Sequence, residues 1–297
     1  MGDRLRGRGC IITGASRGLG QYCSVGYAKE GATVVIAART EREADPRLPG
    51  TIYHTAKLVD DNGGEAFPVV CNVASYESVD AMVKKVLDKY GRIDVLMTNA
   101  AIQPPGFVST LQIRHWELEF RVNVHGPFYC IRAALPAMLE RKGGSIITIS
   151  SVAADRGGSH YGATKRAIES MTLGLASEVR GQGVAVNCLK PVGAIETPGM
   201  LFGRAPGQVG GGRPGASNTP PPDSYVEAAV ILATMTPETG TGIVMNDAQV
   251  IAGFADEATK DRFRTLNGEA WSAALGVPVP QNNHPVMSAR PARQEQR

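Results

Sequence analysis

The stretch that most constrains the fold lies near the N-terminus. Gly9 to Thr13 is a short apolar run of strand character, Thr13-Gly-Ala-Ser-Arg-Gly-Leu-Gly20 follows it, and helical periodicity then continues to about Glu30. A strand that enters a glycine turn and leaves as a helix brings free backbone amides and the positive end of a helix dipole to one point. Gly14, Gly18 and Gly20 let the main chain turn tightly and approach a pyrophosphate. With Ser16, Arg17 and Leu19 between them, they form a candidate dinucleotide-binding set. The spacing is G-x-x-x-G-x-G, a variant of the commoner G-x-G-x-x-G. With the alternation of strands and helices that follows along the chain, the unit leads to the expectation of an α/β fold, a Rossmann-type doubly wound parallel sheet of about seven strands with helices on both faces.

A second strand, Thr33 to Ala37, ends at Ala38 and Arg39, where an NAD site places a carboxylate against the ribose hydroxyls. No carboxylate is there. Arg39, together with Arg17, suits a 2'-phosphate, because a guanidinium fork matches phosphate oxygens; the alternative for Arg39 is a solvated arginine at a strand end. NADP (NADPH) is therefore expected over NAD. Arg42 to Gly50 is charged, carries Pro46 and Pro49, and reads as an irregular connection outside the core before a helix over Thr51 to Asn62. Ala66 to Val70 is a third strand with Cys71-Asn-Val73 at its end, which makes Asn72 and Val73 candidates for an adenine edge. After a helix over Ser78 to Tyr90, the buried run Ile93 to Met97 closes in Thr98-Asn-Ala-Ala101. Asn99 and Ala100 stand where small residues leave room for a ribose, though Asn99 equally serves as a turn cap.

Trp116 to Met138 is long, broadly apolar and interrupted by Asn123, a poor helix former whose amide can hold a water or bend the helix. Gly144 to Ile149 is a further strand, delivering Ser150 and Ser151 at its end. Ten residues after Ser151 comes Tyr161-Gly-Ala-Thr-Lys165, opening a periodic run through Ala167, Ile168, Met171 and Leu175, so Tyr161 and Lys165 share one helix face. A cation beside a phenol of ordinary pKa ~10 favours the phenolate and makes proton transfer accessible. Taken alone, the same pair is also a tyrosine and a lysine on a wet helix face.

Val184 to Leu189 is another strand, followed by Lys190-Pro-Val-Gly-Ala-Ile-Glu-Thr197 and a Pro/Gly-rich stretch over 198–222 containing Gly210-Gly-Gly212 and Pro220-Pro-Pro222. Such a stretch cannot pack a core and reads as a mobile substrate lid, whose Met200, Leu201 and Phe202 point to an apolar substrate. Val226 to Met235 is a helix, and Gly242 to Met245 and Gln249 to Ile251 read as terminal strand pieces. The chain divides into one dinucleotide-binding and catalytic domain over 1–253 and a polar, partly disordered extension over 254–297.

Composition narrows the function classes. In 297 residues, 31 Lys plus Arg against 28 Asp plus Glu leave +3, too slight and scattered for a nucleic-acid surface. No run of about 18 apolar residues marks a membrane span. Cys10, Cys23, Cys71, Cys130 and Cys188 lack paired spacing, and His54, His115, His125, His160 and His284 lack metal-ligand spacing. Only His160, beside Tyr161, is placed to border a site. The basic Met1 to Gly9 precedes too short an apolar run for a signal peptide, and Gln294 to Arg297 matches neither a peroxisomal tripeptide nor a prenylation box. The expectation is a cytoplasmic enzyme with a small-molecule substrate and no metal, nucleic-acid or membrane partner.

From about Gly9 to Ile251 these motifs resemble, in order, the short-chain dehydrogenase/reductase family: Thr13 to Gly20, Asn99-Ala-Ala101, Asn123 after Trp116, Ile149-Ser-Ser151, Tyr161-x-x-x-Lys165 and Pro191 to Thr197. Pro46-Arg-Leu-Pro-Gly-Thr-Ile-Tyr53 and Ala194-Ile195 are similar to its hydroxysteroid dehydrogenase-like branch. The resemblance implies a catalytic tetrad of Asn123, Ser151, Tyr161 and Lys165. Tyr161 exchanges a proton with the substrate oxygen, Lys165 lowers the tyrosine pKa and holds the nicotinamide ribose, Ser151 binds the carbonyl oxygen, and Asn123 fixes a water leading to Lys165. It also implies nicotinamide contacts from Pro191, Val192, Ile195 and Thr197, and a homodimer or homotetramer with the Asn123 and Tyr161 helices across a two-fold axis. Three departures stand out. The Ser151 to Tyr161 gap is short for the family, which leaves Ser150 as the alternative serine; Pro191-Val-Gly193 carries one residue extra; and Asn72 replaces a frequent Asp.

The implied function is NADP-dependent interconversion of a carbonyl and a secondary alcohol on a small to medium apolar substrate. The rivals are a catalytically silent NADP-binding regulator and an epimerase or dehydratase on the same fold.

Overall fold

The computed structural model describes residues 2–43, 45–46, 48–156, 159–193, 195, 197 and 222–264. Seven strands, β1 (Gly9–Thr13), β2 (Thr33–Ala38), β3 (Glu65–Val70), β4 (Val95–Thr98), β5 (Gly144–Ile149), β6 (Val184–Lys190) and β7 (Val244–Asn246), form one sheet. All pairings are parallel, in the order β3-β2-β1-β4-β5-β6-β7. The order reverses direction between β1 and β4, and that switch point opens a crevice at the carboxyl ends of the strands. Pro68, which cannot donate to a ladder, sits in β3, an edge strand.

The central strands are apolar on both faces because helices cover both. Cys10 and Ile12 pack into one core and Ile11 into the other; Val34 and Ile36 alternate with Val35 in the same way. The first core is closed by α1 (Gly18–Lys29), α2 (Ile52–Asp61), α8 (Asp223–Thr234) and α9 (Asp247–Phe254). The second is closed by α3 (Tyr76–Tyr90), α5 (Gly126–Glu140) and α7 (His160–Glu178). Side chains set several starts: Thr51 caps α2 through His54 N, Ser75 caps α3 through Ser78 N, and Ser159 caps α7 through Gly162 N.

The stretch from Trp116 to Met138 is not one helix. α4 (Ile113–Phe120) passes into a π turn over Arg121–His125 and then into α5, so the interruption at Asn123 is a local widening of the helix. Gln249 to Ile251 is helical rather than a strand, because Asn246 and Gln249 form a reciprocal capping box that starts α9. The loop before α2 lies outside the core as expected, with Arg42, Glu43, Pro46 and Pro49 exposed, while at its end a Cβ on Gly50 would lie 2.4 Å from Ser16 O, so it rests directly on the glycine turn. Residues 257–264 are helical and bury Phe263 in the first core beside Tyr27 and Tyr225. The lid stretch up to residue 221 and the extension beyond 264 lie outside the described residues.

Candidate active site

Every candidate residue lies at or just beyond a strand's carboxyl end or on a helix packed there. Gly14 and Gly18 adopt φ +66° and +60°, a region costly for residues with a Cβ. A Cβ on Gly14 would come 2.7 Å from Ala100 Cα, and one on Gly20 2.5 Å from Asn99 Nδ2, so each glycine is required by a neighbouring main or side chain. Asn99 is a brace for this turn: its amide donates to Thr13 O (2.9 Å) and Gly14 O (3.3 Å), while Thr13 Oγ1 accepts from Ala100 N. Arg17, at the N-cap of α1, makes no side-chain cap, and no acidic residue occupies the first turn, so an anion meets open amides and the helix dipole. A cradle that excludes Cβ atoms and ends on open amides fits a dinucleotide pyrophosphate.

The two arginines behave differently. Arg17 donates from Nε to Pro49 O (3.0 Å) and from Nη2 to Gly50 O (2.8 Å), which ties the loop before α2 to the glycine turn. Its pKa is lowered by burial, with Glu43 opposing and Arg39 adding to the effect. Arg39 is exposed and lines an open pocket of about 410 Å³ with Glu41, Arg42 and Tyr53. Arg42, three residues beyond Arg39, adds a second guanidinium to this pocket, which the strand-end pattern alone does not single out. Asn72 is exposed and its Oδ1 accepts from Ala74 N, leaving the amide nitrogen for a ligand; Val73 is buried against Gly126.

Asn123 is 1% exposed, and its amide is fully engaged with protein. Oδ1 accepts from Ile102 N at 2.8 Å; Nδ2 donates to Ile102 O at 2.8 Å and to Thr164 Oγ1 at 3.1 Å. Thr164 Oγ1 in turn donates to Tyr161 O, so the π turn, the loop after β4 and the first turns of α7 form one connected unit. The side chain therefore anchors backbone, joining the loop after β4 to α7.

Lys165 and Tyr161 share a helix face. Lys165 Nζ, 2% exposed, donates to Ile149 O at 2.9 Å and lies 5.4 Å from the centre of the Tyr161 ring. Burial lowers the Lys165 pKa to about 8, with Cys188 and Glu119 opposing. The tyrosine moves opposite to expectation: burial, then the Glu119 charge, push the phenol up.

The two serines separate cleanly. Ser150, 2% exposed, donates to Glu169 Oε1 at 2.7 Å and points into α7. Ser151 is partly exposed, and its Oγ accepts a turn contact from Ala153 N at 3.2 Å. Glu169 also faces Lys190 Nζ (3.4 Å), which binds both Asp155 oxygens at 2.8 and 2.7 Å. Asp155 lies in the short helix α6 (Ala153–Arg156), so this network pins the trimmed Ser151 to Tyr161 connection to the end of β6.

Beyond β6, Val192 N donates to Asp247 Oδ1 at 2.6 Å and Ser224 Oγ donates to Asp247 Oδ2 at 2.8 Å. Thr197 returns to the glycine turn, 3.3 Å from the position of a Cβ on Gly18, and Ile195 is buried in the first core. Asp247 and Glu119 were not anticipated. Glu119 is buried at 0% exposure, 2.6 Å from His160 Nδ1; the available signal was its position four residues before Asn123, on the same helix face.

The short chain dehydrogenase family model matches residues 9–201. The 3-oxoacyl-(acyl-carrier-protein) reductase FabG of Thermotoga maritima is 34% identical over 198 residues, 66% of this chain and 77% of that protein. Hydroxysteroid dehydrogenase-like protein 2 of Homo sapiens is 35% identical over 210 residues, 69% of this chain but 50% of that longer protein. Among solved structures, a metagenomic short-chain oxidoreductase in complex with NADP superposes with a TM-score of 0.65 at 27% identity, covering 82% of this chain and 98% of that one.

Proposed function

The chain belongs to the short-chain dehydrogenase/reductase family of oxidoreductases, and from that premise we propose that it reduces a carbonyl, or oxidises the corresponding secondary alcohol, on a small to medium apolar substrate with NADP. The observation that carries this reading is a partly exposed Tyr161 beside a buried Lys165 whose ammonium is held on Ile149 O, at the carboxyl end of β5.

When bound, the nicotinamide supplies or accepts the hydride. Tyr161 gives its phenolic proton to the substrate oxygen in reduction and takes it back in oxidation. Burial keeps the phenol in its protonated form, the form from which a proton is donated in reduction. Lys165 holds positive charge beside the ring and offers donors beyond the one on Ile149 O for the ribose hydroxyls. Ser151 donates to the substrate oxygen, since Ser150 is committed to Glu169. Asn123 keeps Ile102 and α7 in register. Gly14, Ser16, Gly18, Leu19 and Gly20 cradle the pyrophosphate. Arg39 and Arg42 take the 2'-phosphate, with Arg17 holding the loop beside them; Asn72 and Val73 border the adenine, Asn99 and Ala100 the ribose, and Pro191, Val192, Ile195 and Thr197 the nicotinamide.

A homodimer or homotetramer in the cytoplasm completes the reading. Ile113 and Phe128, 76% and 51% exposed on α4 and α5, supply apolar surface for a helix-to-helix interface. The deciding experiment is a fluorescence titration with NADPH and NADH, followed by turnover on a panel of apolar ketones and aldehydes with wild type and Tyr161→Phe. Tighter NADPH binding, turnover in the wild type and its loss by about a hundredfold or more in the variant, with binding kept, are expected. Unchanged turnover in Tyr161→Phe would overturn the mechanism. Turnover without net cofactor oxidation would favour the epimerase or dehydratase.

A further inference from the structure

His160 opens α7 one residue before Tyr161, and both of its ring nitrogens face oxygen. Nδ1 lies 2.6 Å from Glu119 Oε2 on α4, and Nε2 lies 3.2 Å from the carbonyl of Gly106, in the loop between β4 and α4. His160 is 3% exposed and Glu119 is 0% exposed, so bulk water satisfies neither contact.

These contacts constrain the proton count. A carbonyl only accepts, and a neutral imidazole carries a single N–H. For both contacts to be hydrogen bonds, Nε2 must carry one proton and a second must lie between Nδ1 and Oε2. A carboxylate paired with an imidazole protonated only at Nδ1 would instead set the Nε2 lone pair against the Gly106 oxygen. The burial of Glu119 favours the two-proton form, because its Oε1 has no hydrogen-bond partner among the described residues and an excess negative charge there would be unsolvated.

We propose that His160 is a positioning residue, and that the Glu119–His160 couple, in its two-proton and net neutral form, latches the loop over residues 102–111 onto α7 beside Tyr161.

The loop is tied at one end by Asn123, which holds Ile102, and His160 supplies the second tie at Gly106. Between Gly106 and α4 it carries Phe107 and Val108, each 67% exposed, apolar side chains of the kind an apolar substrate covers. The ionisable groups that act on the couple among the described residues are Tyr161 and Lys165 on α7, with Cys188 on β6 acting on Lys165. The Lys165 ammonium favours the Glu119 anion and burial opposes it.

The kinetic arm of the test rests on the carbonyl reductase reading; the spectroscopic arm does not. In the full chain labelled with 15N-histidine, the His160 resonances are assigned by their loss in His160→Phe, and amide-exchange protection is read at Gln103 and Gly106 to Val108, since Pro104 and Pro105 carry no amide proton. Nε2 is expected to be protonated at pH 7, with loop protection retained in Glu119→Gln, whose amide can donate to Nδ1 while Nε2–H stays on Gly106, and reduced in His160→Phe. KM for an apolar ketone should stay within about twofold of wild type in Glu119→Gln, whose latch is kept. In His160→Phe it should be raised about tenfold at all pH, with kcat changed less. A bare Nε2 at pH 7, equal loop protection in His160→Phe and wild type, or a wild-type KM in His160→Phe would overturn the latch. Absence of turnover on every ketone, with the expected Nε2 state and protection pattern, would leave the latch standing and overturn the reductase reading.

Discussion

Lys165 Nζ and the Tyr161 ring stand 5.4 Å apart, and the lysine's hydrogen bond goes to Ile149 O, at the end of the strand that delivers Ser151. The ammonium is thus held by the sheet rather than by the tyrosine, which fixes its position independently of the phenol's protonation state. Burial acts on the two groups in opposite directions, disfavouring the charged form of each.

A pH dependence of stability follows for Lys165. Its folded pKa of about 8 lies below the ordinary lysine value. Between the two values the unfolded chain holds the proton that the folded chain has lost, so stability rises with pH across that window by roughly 3 kcal/mol, and the gain is lost as pH falls through about 8. Lys165→Met should remove this increment. Urea unfolding of both proteins at pH 7.5 and 9.5 checks it; an equal pH response in the two would refute the assignment.

Arg39→Asp should shift cofactor preference toward NAD. Loss of a charge-assisted contact to phosphate and gain of a like charge predict at least a tenfold fall, about 1.4 kcal/mol, in the ratio of NADPH to NADH affinity. Titration of each cofactor against wild type and variant measures it. An unaltered ratio removes Arg39 from the phosphate site and leaves Arg42.

Exchanging the serines one at a time separates structure from chemistry. Ser150→Ala strips a buried hydrogen bond from Glu169 and should cost about 1–2 kcal/mol of stability. Ser151→Ala should leave stability within about 0.5 kcal/mol and lower kcat by about a hundredfold. The reverse pattern would return the substrate role to Ser150.

Gly14→Ala places a methyl 2.7 Å from Ala100 Cα at φ +66°. Strain and backbone displacement should cost about 1–3 kcal/mol and weaken NADPH binding. Thermal unfolding with and without NADPH reads both effects. Wild-type stability in the variant would mean that the turn is looser than its geometry states.

Much of the sheet was legible because its signals are local. Apolar strand runs, helical periodicity and the glycine turn each lie within a dozen residues, and the order of strand and helix already implies a parallel crossover fold. Where local signals competed, the reading failed: Gln249 to Ile251 looks strand-like in isolation, but the Asn246 cap makes it helical. The proline-bearing connection before α2 reads from sequence only as an irregular segment outside the core, and its contacts to Ser16 and Arg17 are what show that it buttresses the glycine turn.

The sequence by itself determined the α/β class, the residues presented at the strand ends and the shared face of Tyr161 and Lys165, because each depends on spacing along one element. Tertiary structure decided which partners those residues meet. Asn123 anchors Ile102, Asn99 braces Thr13 and Gly14, Ser150 turns to Glu169, and Glu119 buries against His160. These partners lie 19 to 86 positions apart in the chain. Their hydrogen bonds and shifted proton affinities arise from burial and contact across the fold, which no local pattern of residues encodes.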